Sequence, residues 1–519
     1  MFPFSRLLKV QSRFMTWVRY YVCFCKAAAF MSGNFARGAL GLLISRKLVD
    51  LAIVGVLITY FSDSEYSKVF TFQKAAIFTS IQDVILATLT VVAAWISCYA
   101  IRPLRILIFS TVSYNLALGL LFCTASREFS ETNFELLNMI GIILLAVGEV
   151  GAAPLLGPFL AYQLRQHGEG GRTENSNEDQ VMAQKRVWWR FAWCCGTAAA
   201  FYANNIKTWK KTFMFTLLFM GGSLILLLLE TSSTSKEQEE AGTLCTVAQV
   251  RESKSLLKLL PLWSSFIVFG LVLSAGNTFF PEQGAKMISE RYLIFLLTFE
   301  AIIRATISYL SKKLIFKFVP ETKQRQAQVL RTFIGMVMST VCCVVAWQVE
   351  VRRLEKSNQL ENMSMFWLVP QFCLLGLMEG LALHGCDEYS SSHFPERMEY
   401  HGSAISSFFV GIGSIFNIFF ILANKGDFAE TLDDSRLDKY YKSLTVISAV
   451  NVCYNLLLSI LYIGSDQSVD NEGLQTNNTI GSDQSVDNEG LQTNNTIGSD
   501  QIVDNEGLQT NDTTDADAI

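Results

Sequence analysis

The sequence predicts an all-α polytopic membrane protein, on three observations. Half of its 519 residues are apolar, 38 residues are phenylalanine and only 17% are charged, a balance too hydrophobic for a soluble domain of this length. Apolar runs of about twenty residues recur, the length that crosses a hydrocarbon core as helix. The runs are long and continuous rather than short and alternating, which argues against a closed barrel, the other structure able to span a bilayer. Twelve spans are predicted, at 39–61, 73–100, 104–124, 135–161, 187–205, 210–229, 258–280, 292–316, 329–349, 365–390, 403–423 and 441–463.

The first 38 residues form a basic segment. Residues 1–49 contain no acid and eight Lys or Arg, and "FMTWVRYYVCFCKAAAF" (14–30) is apolar but interrupted by Arg19 and Lys26. Such a segment is expected in the cytoplasm, lying on the membrane surface. A transit peptide is the alternative, being likewise Arg-rich and acid-poor. Spans one to six occupy 39–230, and a polar central loop follows at 231–257. Spans seven to twelve occupy 258–463. A long middle loop dividing six helices from six is the layout of two-bundle transporters. With the N-terminus inside, that loop, the loop at 165–186 and "SKKLIFKFVPETKQRQ" (311–326) all face the cytoplasm. Basic residues then favour the inside modestly, although "NIKTWKK" (205–211) falls outside.

The last 56 residues, 464–519, carry twelve acids and no Lys or Arg, so the remaining chain holds 42 basic against 34 acidic residues. This tail repeats. "GSDQSVDNEGLQTNNTI" stands at 464–480 and again at 481–497, and "GSDQIVDNEGLQTNDTT" follows at 498–514. Each copy has almost nothing to bury, a composition expected of a solvated, disordered tail.

Charges inside the predicted spans carry the functional argument. Each costs about 3 kcal/mol at a helix centre on insertion scales, so it is expected to face a cavity or a partner. Those singled out are Asp50, Asp83, Glu149, Arg190, Glu300, Arg304, Glu379 and His384. Glu300 and Arg304 lie four apart and share a helix face, so a structural ion pair is the plainer reading. Arg190 follows Trp188 and Trp189 and can snorkel to the interface. Asp83 is read as nearer a span end. Glu149 and Glu379 sit in mid-span beside Gly148 and Gly151, and Gly376 and Gly380. Small residues there let helices approach or leave room for a ligand. The two carboxylates are candidate proton carriers, with helix–helix hydrogen bonding as the bland alternative.

Other chemistry is thinly represented. His167, His384, His393 and His401 show no metal spacing, and no phosphate-binding glycine loop or catalytic constellation appears. The twelve cysteines match no zinc pattern and are expected to be reduced packing residues. "NMS" at Asn362 is a glycosylation sequon in an expected outside loop, and "ESKSLL" (252–257) has the form of a dileucine sorting signal. No enzyme activity, cofactor or metal is expected. The expected partners are the lipid bilayer and a small-molecule substrate; nothing points to nucleic acid.

Four stretches resemble the plant nitrate/peptide transporters, which belong to the proton-coupled oligopeptide transporters of the major facilitator superfamily. "LLKLLPLWSSFIVFGLVLSAGNTFFPEQGAKM" (256–287) is similar to that family's seventh helix, and "FWLVPQFCLLGLMEGLALHGCDEYSSSHFPERM" (366–398) to its tenth. "RLDKYYKSLTVISAVN" (436–451) is similar to the entry of the twelfth, and "KRVWWRFAWCCG" (185–196) to the fifth. The resemblance runs from about residue 40 to 463. It implies twelve helices in two six-helix bundles around a midplane cavity, with alternating access by rocking of the halves. It also adds Asn277 to the cavity candidates, beside Glu149, Glu379, Asp50, Glu300, Arg304 and His384. Arg102 is a cytoplasmic gating candidate.

Departures from the family pattern matter as much. In the fourth helix Gly148, Gly151, Pro154, Phe159, Ala161 and Gln163 match, but the family's cavity lysine falls on Ala153 and its Asp on Tyr162. Glu149 stands where a Thr is common. In the first helix the family's E-x-x-E-R reads Arg46, Lys47, Leu48, Val49, Asp50. The loop "SCYAIRPLR" (97–105) keeps Arg102 alone of the superfamily's Asp-Gly-Arg pattern. Three readings follow: a symporter using Glu149 or Glu379 instead, an uncoupled facilitator or exporter, or a non-transporting regulatory membrane protein. The substrate stays open among nitrate, peptides, hormones and defence metabolites, and the membrane between plasma membrane and vacuole.

Overall fold

The computed structural model describes residues 37–63, 71–99, 103–126, 131–166, 174–204, 208–234, 259–287, 293–358, 363–391, 399–429 and 431–462. The basic segment 1–36, most of the central loop, Arg102, Asn362 and the tail from 464 lie outside them. The helices are α1 (Arg37–Ala52), α2 (Leu57–Phe61), α3 (Phe72–Tyr99), α4 (Pro103–Thr124), α5 (Glu131–Gln166), α6 (Glu174–Asn204), α7 (Trp209–Thr234), α8 (Leu260–Ser264), α9 (Phe266–Met287), α10 (Leu293–Phe318), α11 (Glu321–Asn358), α12 (Val369–Ser391) and α13 (Glu399–Ala423). The last, α14, is Leu437–Tyr462.

Among the described residues ten segments are long and apolar enough to cross a membrane. The first and fifth predicted spans differ from these for separate reasons. The first is not one helix: a 3-10 turn at Val54–Val56 divides α1 from α2. The fifth is long enough, but α6 begins in polar residues and carries Trp188, Trp189 and Arg190 further on.

Two predicted loops shrink. At 1.5 Å per residue, the 36 residues of α5 and the 38 of α11 are far longer than a hydrocarbon core of about 30 Å. They project beyond it and absorb much of the polar sequence. The loop expected at 165–186 is helical at both ends. That expected at 311–326 is reduced to Val319 and Pro320 between α10 and α11.

The packing is inside-out relative to a soluble protein. Asn138, Gln283, Glu350, Asn417 and Asn455 are fully buried, while Phe109, Leu229, Phe318, Val450 and Leu461 are exposed. An apolar outer surface suits lipid, and interior polar groups pair with one another. In the first half α1 packs on α6 and α7, and α4 on α5 and α7. In the second, α9 packs on α13, α10 on α12, and α11 on α12. The halves meet where α3 lies along α13 and α2 touches α9.

Glycines set the closest approaches. A Cβ on Gly413 would run into the Ile267 carbonyl, and one on Gly270 into the Val410 carbonyl, so α9 and α13 touch backbone to backbone. At the end where the first span finishes, aromatic rings from both halves close together. Phe72 of α3 stacks on Phe428 (centroids 6.2 Å) and tilts against Phe279 of α9 (5.9 Å). Tyr440 of α14 meets Phe279 edge-on at 5.2 Å.

Candidate functional site

A cavity of ≈ 160 Å³ lies between the halves. Lys47 and Asp50 from α1, Gln82 and Asp83 from α3, Asn277 from α9, and Glu300 and Arg304 from α10 contribute its polar wall. Spacing explains the arrangement locally. Lys47 and Asp50, three apart, share a helix face, and Lys47 Nζ donates to Asp50 Oδ2 at 2.6 Å. The cavity therefore holds cations as well as acids. Lys47 and Arg304 are its cations, where the fourth helix has Ala153 in place of the family's lysine.

A second cavity of ≈ 240 Å³ lies on the first-half side, lined by Arg46, Lys47, Asp50, Tyr114, Glu149 and Trp193 among others. The Lys47–Asp50 pair lines both. Glu149 lies here, and its Oε2 is buried with no hydrogen-bond partner. Arg46 Nη2 donates at 2.8 Å to the backbone carbonyl of Glu149. The same guanidinium sits 5.9 Å from the Tyr114 ring centroid, and Lys47 Nζ lies 5.4 Å from that of Trp193, both within cation–π range.

The glycines around Glu149 serve packing. A Cβ on Gly148 would meet the Tyr114 ring at 2.5 Å, and one on Gly151 would meet Ser110 Cβ at 2.8 Å. They let α4 press against α5. α5 runs unbroken through Pro154 and Pro158. Arg190 is exposed and takes no part in the Glu149 cavity lining.

Glu379 is bonded between helices, the plainer of the two readings weighed for it. Arg304 Nη1 donates to both of its carboxyl oxygens at 2.7 Å. The predicted Glu300–Arg304 pair is present but longer, at 3.8 Å. One guanidinium thus serves two buried carboxylates on two helices. Gly376 and Gly380 make this reach short, since a Cβ on either would press on the α10 backbone at Glu300 or Arg304 within 2.7 Å.

Asp83 is also corrected. It stands well inside α3 and lines the central cavity, not a span end. It accepts a hydrogen bond from Ser274 Oγ at 3.1 Å. Asn277 lines the central cavity and the cavity beside Asp83. His384 is on α12 and is not part of the central cavity wall.

Several buried charges lie beyond the predicted set. Arg331 donates to Glu388 at 3.0 Å and to the Gly380 carbonyl at 2.9 Å. Glu350 accepts from Gln283 at 2.7 Å and from Arg353 Nε and Nη2 at 2.8 Å, and Arg353 also reaches Asp433. Glu282 is buried, with Oε2 unpartnered. Glu350 and Arg353 fell just past the predicted ninth span, and Glu282 and Gln283 just past the seventh. A wider window would have enclosed them. Among the described residues no group of three or more His, Cys, Asp and Glu is arranged to hold a metal ion, and the described cysteines are free thiols.

Two helical bundles around a polar cavity define the fold of a polytopic membrane protein. Known structures agree on the fold. A crystal structure of a POT family transporter in complex with 5-aminolevulinic acid superposes with a TM-score of 0.58 at 11% identity, covering 82% of this chain and 95% of that one. The nucleoside transporter NupG gives 0.54 at 10% identity, covering 82% and 98%. Residues 222–424, from within α7 to just past α13, match the PTR2 domain of the POT family. Protein NRT1/PTR FAMILY 5.4 of Arabidopsis thaliana is 30% identical over 242 residues, 42% of this chain and 44% of that relative. NRT1/PTR FAMILY 5.6 of the same plant is 29% identical over 237 residues, 42% and 40% respectively. Over this part of its length the chain is similar to the POT and NRT1/PTR family proteins. Its match spans less than half the length of these relatives.

Proposed function

We propose that the chain is a secondary transporter of a small solute, which binds in the cavity between the halves. The observation that carries this reading is the cavity's lining. Opposite charges come from both bundles, Lys47 and Asp50 from one, Glu300 and Arg304 from the other. Rocking of one bundle against the other would expose such a site to each side in turn. With the N-terminus in the cytoplasm, the aromatic closure around Phe72, Phe279 and Phe428 faces outward.

The paired charges suit a small amphoteric solute, whose ammonium can meet Asp50 or Glu300 and whose carboxylate can meet Lys47 or Arg304. 5-Aminolevulinic acid, carried in the crystal structure of one POT neighbour, has that chemistry. For proton coupling Glu149 is the better candidate of the two acids first singled out. Its buried carboxyl oxygen has no donor, whereas Glu379 is held by Arg304.

Uptake into a heterologous cell tests the reading. Wild type and Glu149→Gln are compared at about pH 5.5 and about pH 7.5, with amino acids, short peptides, nitrate, hormones and defence metabolites offered. The expected result is acid-stimulated uptake of an amphoteric solute that Glu149→Gln makes indifferent to pH. Uptake indifferent to pH in both proteins assigns a facilitator. Surface-expressed protein that takes up nothing in the panel counts against transport.

A further inference from the structure

Asp83 has no cationic partner, unlike Asp50 and Glu300, the other acids of the central cavity. Asp50 has Lys47, and Glu300 and Glu379 share Arg304. Among the described residues Asp83 is in no ion pair, and its side chain accepts a hydrogen bond from Ser274. That hydroxyl is oriented from behind. Asn417 Nδ2 donates to Ser274 Oγ at 3.3 Å and to Ser80 Oγ at 3.0 Å, so the Ser274 proton is directed to Asp83.

A separate cavity of ≈ 200 Å³ adjoins this acid. Its polar wall consists of Asp83 and Thr90 from α3, Ser274 and Asn277 from α9, and Ser407 and Ser414 from α13. One carboxylate, four hydroxyls and one carboxamide make up the set, with no basic or aromatic side chain among them. Thr90 gives its hydroxyl proton to the Leu86 carbonyl at 2.8 Å, which leaves its oxygen free to accept. The site straddles the seam between the halves, where a Cβ on Gly411 would collide with Ala87.

Asp83 is a part-buried carboxylate with no counter-charge among the described residues, and a cation bound beside it would neutralise it. Hard cations take oxygen ligands of this kind, carboxylate, amide carbonyl and hydroxyl. Since a water occupies about 30 Å³, the cavity has room for an ion with part of its hydration shell. We propose that the seam cavity binds sodium, with Asp83 as the charged ligand and Ser274, Asn277 and Ser414 supplying neutral oxygens. An ion held by α3, α9 and α13 together ties the two halves and favours the arrangement in which the seam is closed. The binding site stands on the seam's geometry alone; its coupling to solute movement rests on the transport reading above.

Thermal unfolding of the purified full chain in detergent tests the site without any need for transport. Choline chloride is replaced stepwise by NaCl or KCl at fixed ionic strength. Sodium is expected to raise the unfolding midpoint saturably, as a ligand of the folded state does, and Asp83→Asn to remove that response. Ser414→Ala, which keeps the charge, is expected to raise the half-saturating sodium concentration about tenfold, roughly the loss of one ligand. It decides the matter where Asp83→Asn does not fold. A midpoint indifferent to sodium in the wild type overturns the proposal. So does one that rises with acid alone, which would give the seam to a proton.

Discussion

Arg304 shows how one side chain can settle the state of two others. Its guanidinium spans Glu300, four residues back on the same helix, and Glu379 on α12. Removing one partner from a buried pair strands the remaining charge, typically at 3–5 kcal/mol. Arg304→Gln is therefore expected to destabilise the protein by about 3 kcal/mol, because two carboxylates lose their cation. Adding Glu379→Gln should recover part of the loss, since neighbouring changes do not sum. Unfolding midpoints of the three proteins check this; equal losses in the single and double variants would mean the pair is idle. The spacing of Glu300 and Arg304 was visible in the sequence. The stronger partner was not, because it lies 75 positions away and comes close only through Gly376 and Gly380.

At the scale of elements, glycine positions explain which helices touch. Gly413 brings α13 onto α9, and any side chain there meets the Ile267 carbonyl. Overpacking of this kind costs about 1–3 kcal/mol when neighbours can shift, and backbone shifts less readily than a side chain. Gly413→Ala should lower the yield of folded, monodisperse protein in size-exclusion chromatography. Gly222 in α7 is the control, with nothing within 4 Å of its would-be Cβ. Gly222→Ala should leave yield intact and raise stability by up to about 1 kcal/mol through helix propensity. Helix length was read less well than helix position. Hydropathy windows stop where polar residues begin, yet α5, α6 and α11 continue as helix into polar sequence, because backbone bonding along a helix persists wherever i to i−4 partners are present.

Across the whole molecule, the contact of the halves divides into an aromatic closure and a polar seam. Phe72 is buried and meets Phe279 and Phe428 from the other half. Phe72→Ala removes those contacts, a change worth about 3–5 kcal/mol in a packed core. Part of that loss should appear as opening of this end. Thr278, buried one residue before Phe279, reports on it: Thr278→Cys should react faster with an impermeant thiol reagent in the Phe72→Ala background than alone. Unchanged labelling would mean that other contacts hold this end shut. The seam below carries Ser80, Asp83, Ser274 and Asn417 from α3, α9 and α13, bonded across the halves.

The sequence by itself determined the class of protein, the place of nearly every span, the family resemblance and the short set of intramembrane charges. These are local properties: apolar length, helical spacing and motif order are written in neighbouring residues. Tertiary structure alone decided what each charge does. Asp50 is held by Lys47, a pairing of near neighbours. Glu379 is held by Arg304, Glu149 keeps a bare oxygen beside Arg46, and Asp83 faces the seam with no cation. In a low-dielectric interior a charge is governed by whichever opposite charge or donor lies within a few ångströms. Apart from Lys47, three residues from Asp50 on the same helix, those neighbours come from helices far apart in the chain.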